Sequence, residues 1–145
     1  MTQRYFLAAK KRLPIGIFGR KETKRVERDK AFLGSELDFA AIVVREIKKT
    51  EIPSHLRNPF CVSITPEGGQ FKNGCETNLK CLQLLFNYIQ DMKDELFTLE
   101  FYTAWYGEEN NPVSNYSELN FKDLVSPLQL ILADREYVLL TKKDW

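Results

Sequence analysis

Hydrophobic and polar positions recur with different periods along this chain, and these periods predict its elements. Residues 76–96 carry apolar side chains at three- and four-residue spacing, with Leu82, Leu85 and Ile89 at the centre of the stripe. This spacing indicates an amphipathic helix. Residues 35–50 show a wider apolar stripe that begins at a serine, a natural N-cap, and ends at two lysines. We therefore predict a second long helix there.

Strands are predicted where β-favouring residues form short runs between turn residues. The predicted strands are 4–9, 60–65, about 97–106, and two within 128–140 that a tight turn at Asp134-Arg135 joins as a hairpin. A loop at 52–59, a turn at 66–69 and a short helix at 117–124 complete the prediction. We expect one α+β domain over residues 1–145, with a mainly antiparallel sheet of about five strands and the two long helices packed on one face.

Composition narrows the class of protein without naming a reaction. A length of 145 residues fits one domain, and 43% hydrophobic with 28% charged residues is typical of a globular protein. The three cysteines lack a disulfide or zinc spacing, which favours a reducing compartment. Apolar runs are too short for a signal peptide or a bilayer span. We expect a cytoplasmic protein without a membrane partner.

Charge is divided unevenly between the two ends of the chain. Residues 1–30 carry ten basic and three acidic side chains and so have a net charge of +7, which leaves −6 for the remainder because the whole chain is +1. Between Asp91 and Asp123, eight acids stand against two lysines. Either region could attract a partner of opposite charge.

The stretch LEFYTAWYGEENNP, residues 99–112, combines tyrosines with carboxylates. Strand alternation points Leu99, Phe101, Thr103 and Trp105 to a core face and the intervening residues to the other face. Tyrosine suits partly solvent-exposed positions and is enriched at the centres of protein interfaces, whereas charged side chains are commoner at the rim. The predicted partner-binding residues of this acidic surface are Glu100, Tyr102, Tyr106, Glu108 and Glu109.

These features favour a small non-catalytic binding protein as the first hypothesis. An inhibitor of the immunity type needs only a rigid scaffold and a surface, and carboxylates over a nuclease site would mimic a nucleic-acid backbone. The predicted partner is a basic protein, such as a toxin or a nuclease domain. The alternative is that this second face packs under the helices at the tyrosine rings and that the acids are merely solvated.

A second hypothesis is a nucleic-acid-binding module that uses the basic N-terminal segment, residues 10–30, which we expect to be a loop of uncertain order. Cations interleaved with phenylalanines could contact phosphates and stack on bases. The candidate residues are Lys10, Lys11, Arg12, Arg20, Lys21, Lys24 and Arg25. Against it, the sequence pI is near 7.7, which is low for a dedicated nucleic-acid binder.

A third hypothesis is a small-ligand or enzyme domain with a pocket near His55, the one histidine of the chain. Cys61 could be a thiol activated by that imidazole, although a strand cysteine is more often a core residue. No catalytic residue, metal site or cofactor is predicted, because no motif specifies one. Assembly into a homo-oligomer through the edge of the C-terminal hairpin is left open.

Overall fold

Seven strands and one long helix make up the part of the chain that the structure describes. The computed structural model describes residues 2–20 and 36–142. The strands are β1 (Gln3–Ala9), β2 (Gly16–Phe18), β3 (Ala41–Glu46), β4 (Phe60–Glu67), β5 (Thr98–Trp105), β6 (Asn115–Asn120) and β7 (Glu136–Thr141). The helices are α1 (Glu36–Phe39) and α2 (Glu76–Met92), with 3-10 turns at Lys49–Glu51, Phe121–Asp123 and Pro127–Leu130.

The strands form a single mixed sheet in the order β2-β3-β4-β1-β5-β7-β6. All neighbours are antiparallel except β6 and β7, which run parallel. The first strand of the chain therefore lies in the middle of the sheet. It pairs with β4 through Leu7↔Val62 and with β5 through Leu7↔Phe101.

One face of the sheet packs against α2 and holds the larger core. Leu82, Leu85 and Ile89 are fully buried against strand residues such as Leu7 and Phe101. The periodic helix that the sequence predicts over 76–96 is confirmed, and it ends at Met92. The 3-10 turns near residues 121–130 close the end of this core, where further apolar side chains are buried.

The opposite face, which we call the loop face, carries Phe6, Ala8, Glu100, Tyr102 and Tyr137. Two connections cover its centre: residues 47–59, between β3 and β4, and residues 106–114, between β5 and β6. Apolar residues of both connections, including Leu56 and Val113, pack on this face. The loop face thus has a smaller core of its own.

The expected fold was wrong in two respects, although a mixture of helix and sheet was right. The sheet has seven strands, not five, and one of its pairings is parallel. Residues 35–50 do not form a long helix: α1 is a single turn, and β3 follows it immediately. The run Ala41–Val44 is buried on both faces of the sheet. A continuous β-branched run suits such a strand better than a helix.

The predicted C-terminal elements were also wrong. Residues 115–120 are strand β6, where we predicted a short helix from 117. Residues 128–140 do not form a hairpin, because Pro127–Leu130 is a 3-10 turn and only β7 follows. Arg135 does sit at a tight bend with φ 56°. The bend leads into an interior strand, so no hairpin edge is available there for a second copy, and Trp145 lies outside the described residues.

Candidate functional site

Glu100 is the buried anchor of the loop face. Its side chain is 1% exposed. Its two carboxylate oxygens accept hydrogen bonds from the backbone N–H of Arg57 (2.9 and 3.0 Å), the backbone N–H of Asn58 (2.7 Å) and the Tyr137 hydroxyl (2.5 Å). A buried carboxylate needs such donors to offset its lost hydration. Glu100 therefore fixes the 53–58 loop onto the sheet, and it is not the exposed partner residue that we predicted.

Tyr102 is likewise buried, at 0% exposure, where the sequence predicted a contact surface. Its ring stacks on Phe6 with centroids 6.4 Å apart and meets the His55 ring edge at 5.4 Å. Its hydroxyl donates to the carbonyl oxygen of Glu109 at 3.2 Å, and burial raises its pKa. Tyr102 thus joins the sheet to both covering loops, whereas the alternative expected the tyrosine rings to pack under the helices.

The remaining three predicted residues lie at the end of β5 and beyond it. Tyr106 is 73% exposed. Glu109 forms an ion pair with Arg4 at 2.7 Å, and the Arg4 guanidinium also lies 5.8 Å from the Tyr106 ring centroid. Although burial alone raises the pKa of Glu109, backbone N–H groups and Arg4 lower it overall. Arg4 therefore offsets part of the negative charge predicted for this surface.

A cleft of about 860 Å³ opens on the loop face beside Glu100. We call it the His55 cleft. Tyr116 and Tyr137 stack in its wall, with ring centroids 5.1 Å apart and planes inclined by 13°, and Tyr116 is 57% exposed. This stack exists because Tyr116 and Tyr137 are register partners on parallel strands β6 and β7. The lining residues are Lys10, Ser54, His55, Arg57, Asn58, Thr98, Glu100, Val113, Tyr116, Tyr137 and Leu139.

The electrostatics of the His55 cleft favour anions. Lys10 and Arg57 are exposed cations at its wall. Glu100 is the one carboxylate among the described residues that line it, and both of its oxygens already accept hydrogen bonds. Lys10 and Arg57 are therefore the exposed charged side chains among the described residues that line the cleft, and both can donate to an anion.

His55 is held in place by the second covering loop. Its Nε2 lies 2.6 Å from the carbonyl oxygen of Asn111, so this nitrogen carries the hydrogen and donates it. Its neighbour Ser54 donates its backbone N–H to Asn110 Oδ1 at 2.8 Å. Together these bonds tie residues 53–58 to residues 106–114. His55 thus lies in a pocket, as the third hypothesis expected, with one ring nitrogen already engaged.

Cys61 is poorly suited to act as a nucleophile. Its side chain is 4% exposed in the loop-face core, and burial, followed by the charge of Glu100, raises its pKa to about 12. The thiol therefore stays protonated at neutral pH, whereas the thiolate is the reactive form. Its Sγ lies 3.9 Å from the carbonyl oxygen of Val62. The predicted pairing with His55 has no hydrogen bond to support it within residues 2–20 and 36–142.

The described basic residues near the N-terminus lie in different surroundings on the molecule. Lys10 lines the His55 cleft, and Arg12 lies with its guanidinium 5.8 Å from the Phe60 ring centroid. Lys11 is exposed between them. Arg20 pairs with Glu67 at 2.7 Å, away from the cleft. The other predicted cations, Lys21, Lys24 and Arg25, lie outside the described residues.

Sequence reasoning missed Arg57, Tyr116 and Tyr137 as members of one site. They come from a loop and two strands, and tertiary pairing alone brings them together. A weak local signal existed at β6, where Tyr116 lies in a mostly polar segment whose one aliphatic residue is Leu119. An aromatic ring in such a segment is a candidate binding residue.

Neither metal binding nor a known family adds to this description. No group of three or more metal-ligating side chains occurs within residues 2–20 and 36–142, and no helix there has the length and apolarity to cross a bilayer. Comparisons with protein-family models, curated proteins and solved structures find no match for this chain. The candidate site therefore rests on its own geometry.

Proposed function

We propose that this protein is a non-catalytic binding protein and that an anionic ligand or partner group binds in the His55 cleft. One observation carries the proposal: Lys10 and Arg57 are exposed beside a stacked tyrosine pair, while hydrogen bonds occupy the one carboxylate among the described lining residues. A cleft of about 860 Å³ also falls within the size range of ligand sites.

Binding is favoured over catalysis because the carboxylate, the buried tyrosine and the histidine of the cleft are already engaged in hydrogen bonds. Glu100 accepts bonds from three residues, and Tyr137 donates to it. Burial and the Glu100 contact raise the Tyr137 pKa, so this hydroxyl holds its proton. His55 uses Nε2 to position a loop. General acid–base catalysis needs a group that is free to exchange a proton with a substrate.

Titration with inorganic phosphate, pyrophosphate and a mononucleotide, followed by calorimetry, tests this proposal. We expect saturable binding that Lys10→Ala and Arg57→Ala each weaken roughly tenfold, the usual scale of a charge-assisted contact. Lys122→Ala is the matched control, because Lys122 is exposed and lies outside the cleft. Absence of binding by every probe, or equal loss in the control, would refute the proposal.

A second candidate is the immunity-type inhibitor, with a smaller surface than the sequence predicted. Tyr106, 73% exposed, followed by the partly exposed Glu108 and Glu109, is the observation that favours it. A basic toxin or nuclease domain is the proposed partner, in a reducing cytoplasm where the thiols of Cys61, Cys75 and Cys81 stay free, as they are here.

The inhibitor candidate is tested by retrieving partners from a lysate with the tagged protein. A basic toxic protein recovered in near-equal amount should be lost with the double variant Tyr106→Ala, Glu108→Gln. Glu95→Gln, an exposed change in the turn that follows α2, should retain it. Retention of that partner by the double variant would reject this surface.

A further inference from the structure

A second cleft, of about 510 Å³, is lined by residues that follow β1 and by residues of the β3–β4 connection and the strand ends beside it. We call it the Arg12 cleft, and its members include Arg12, Lys49, Ile52, Pro59 and Phe60. The Arg12 guanidinium lies toward the Phe60 ring at 5.8 Å from its centroid. This cleft therefore also combines a cation with an aromatic ring.

Two segments of the chain contribute residues to both clefts. Lys10 lines the first and Arg12 the second, so the segment that follows β1 contributes to both. In the same way Arg57 and Asn58 line the first, while Pro59 and Phe60 line the second. The same two segments thus border both clefts, with only Lys11 between Lys10 and Arg12 and no residue between Asn58 and Pro59.

Positive charge predominates along this path. Lys10, Arg57, Arg12 and Lys49 line the two clefts and are all exposed. The described carboxylates in the same linings are Glu100, which is buried and hydrogen-bonded, and Glu46, which is exposed. Four cations against one exposed acid match a ligand that carries negative charges at intervals, as a phosphodiester chain does.

The aromatic groups indicate the rest of the ligand. Tyr116 is 57% exposed over Tyr137 in the first cleft, and Phe60 is partly exposed in the second. Bases of a single strand can stack on such rings, whereas the bases of a duplex are already stacked and paired. Aromatic platforms beside a basic groove are the usual means of binding single-stranded nucleic acid without sequence readout.

We infer that the anionic partner of this protein is a single-stranded nucleic acid, whose backbone runs across the His55 and Arg12 clefts along Lys10, Arg57, Arg12 and Lys49. The inference rests on the proposed function and extends it to a ligand longer than one cleft. It places the nucleic-acid interface at loop 47–59 and residues 10–12.

Fluorescence anisotropy with a labelled 12-residue oligonucleotide, as DNA and as RNA, tests the inference. We expect the single strand to bind at least tenfold more tightly than the same sequence as a duplex and than a mononucleotide. The logarithm of the binding constant should fall with the logarithm of the salt concentration by about 0.7 for each neutralised phosphate, or roughly 3 for four contacts.

Single variants test the contribution of each cleft, and they test phosphate contacts separately from stacking contacts. Arg12→Ala should reduce the salt slope by about 0.7, as should Lys10→Ala. Tyr116→Ala should weaken binding roughly tenfold, the scale of one stacked base, while Tyr116→Phe should retain affinity because the ring remains. Lys122→Ala should leave both quantities unchanged, and the thermal unfolding curve of each variant should match that of the parent.

The results distinguish this inference from the proposed function on which it rests. Oligonucleotide affinity that is no higher than that of the mononucleotide, or unaffected by Arg12→Ala, would overturn the two-cleft path and retain the His55 cleft. Equal affinity for duplex would overturn the single-strand assignment. If phosphate, mononucleotide and oligonucleotide all fail to bind, both the inference and the proposed function fall.

Discussion

Glu100 shows how one residue determines the shape of the candidate site. The strand pattern places it correctly on the second face, but alternation alone does not say whether a loop covers that face. The donors that enclose it come from Arg57, Asn58 and Tyr137, which lie 37 to 43 positions away in sequence. Its role as an anchor is therefore a tertiary property. The same holds for Tyr102, which alternation also assigned to an exposed face.

Replacing Glu100 by glutamine should destabilise the fold. The amide has nearly the same shape, but its NH₂ group would meet either a backbone N–H, which cannot accept, or the Tyr137 hydroxyl, which would have to turn to accept. The bonds to the backbone N–H groups would also lose the assistance of the carboxylate charge. We expect the free energy of unfolding to drop by about 1–3 kcal/mol in urea denaturation. The exposed substitution Glu95→Gln should change it by less than about 0.5 kcal/mol. Equal stability of the parent and Glu100→Gln would contradict the anchoring role.

The three cysteines should differ in reactivity by position. Cys75 is exposed, and hydrogen bonds from the Thr77 side chain and from nearby backbone lower its pKa. Cys61 and Cys81 are buried, and burial raises the pKa of both thiols. Because the thiolate reacts, iodoacetamide at neutral pH should modify Cys75 first.

Peptide mapping by mass spectrometry measures this order of modification. Cys61 and Cys81 should become labelled only when urea unfolds the chain, and all three should then react at similar rates. Early labelling of Cys61 in the native protein would show that the loop-face core is open to solvent.

At the scale of elements, the sequence predicts correctly where one periodicity dominates. Helix α2 and strands β1, β4 and β5 follow from their patterns, because each has one apolar stripe or a run bounded by turns. Strand β3 was missed because Ile42, Val43 and Val44 are buried on both faces. Such a run matches a wide helical stripe as well as a buried strand. Its length and β-branching were the better guide.

The site was predictable only in fragments. His55 was recognised because it is the one histidine, and Lys10 because it begins a basic run. Their meeting with Tyr116 depends on β6 pairing parallel to β7, and a local pattern carries no information about that pairing. Connections that cross a sheet in this way are set by long-range packing.

Two leucines of α2 provide a test of the packing at element scale. Leu85 is fully buried against the sheet, whereas Leu79 is 42% exposed although it belongs to the same apolar stripe. Leu85→Ala should lower the free energy of unfolding by about 2–5 kcal/mol through lost burial and a residual cavity. Leu79→Ala should cost less than about 1 kcal/mol. Chemical denaturation of both variants measures the difference, and equal losses would contradict the orientation of α2.

At the scale of the whole molecule, several buried hydroxyls and a thiol make the fold sensitive to alkali. Burial raises the pKa of Tyr5 and of Cys61 to about 12, from ordinary values of 10.0 and 9.0. The pKa values of Tyr88 and Tyr137 are also raised by burial. The folded state thus holds these protons more tightly than the unfolded chain does, and their deprotonation opposes folding.

Stability should therefore be constant through neutral pH and should decline from about pH 9 upward, as the unfolded chain begins to lose these protons. Urea midpoints at pH 8, 10 and 11 measure the decline. Tyr137→Phe removes one of the raised groups and should flatten it, while Tyr106→Phe, which alters a ring 73% exposed, should keep the parent profile. A parent midpoint that does not change up to pH 11 would contradict this expectation.

The central position of β1 has a consequence for how quickly the chain folds. One half of the sheet, β2-β3-β4, and the other half, β5-β7-β6, share no hydrogen-bonded strand pair except through β1. Gln3 must therefore find its strand partner Trp105, 102 positions along the chain, before the two halves become one sheet. Closing so long a loop lowers the chain entropy before strand pairing can stabilise the structure. Domains dominated by such distant pairings fold in milliseconds to seconds. Until β1 is in place, β4 and β5 each present an open edge, and that interval is when the protein is most exposed to aggregation.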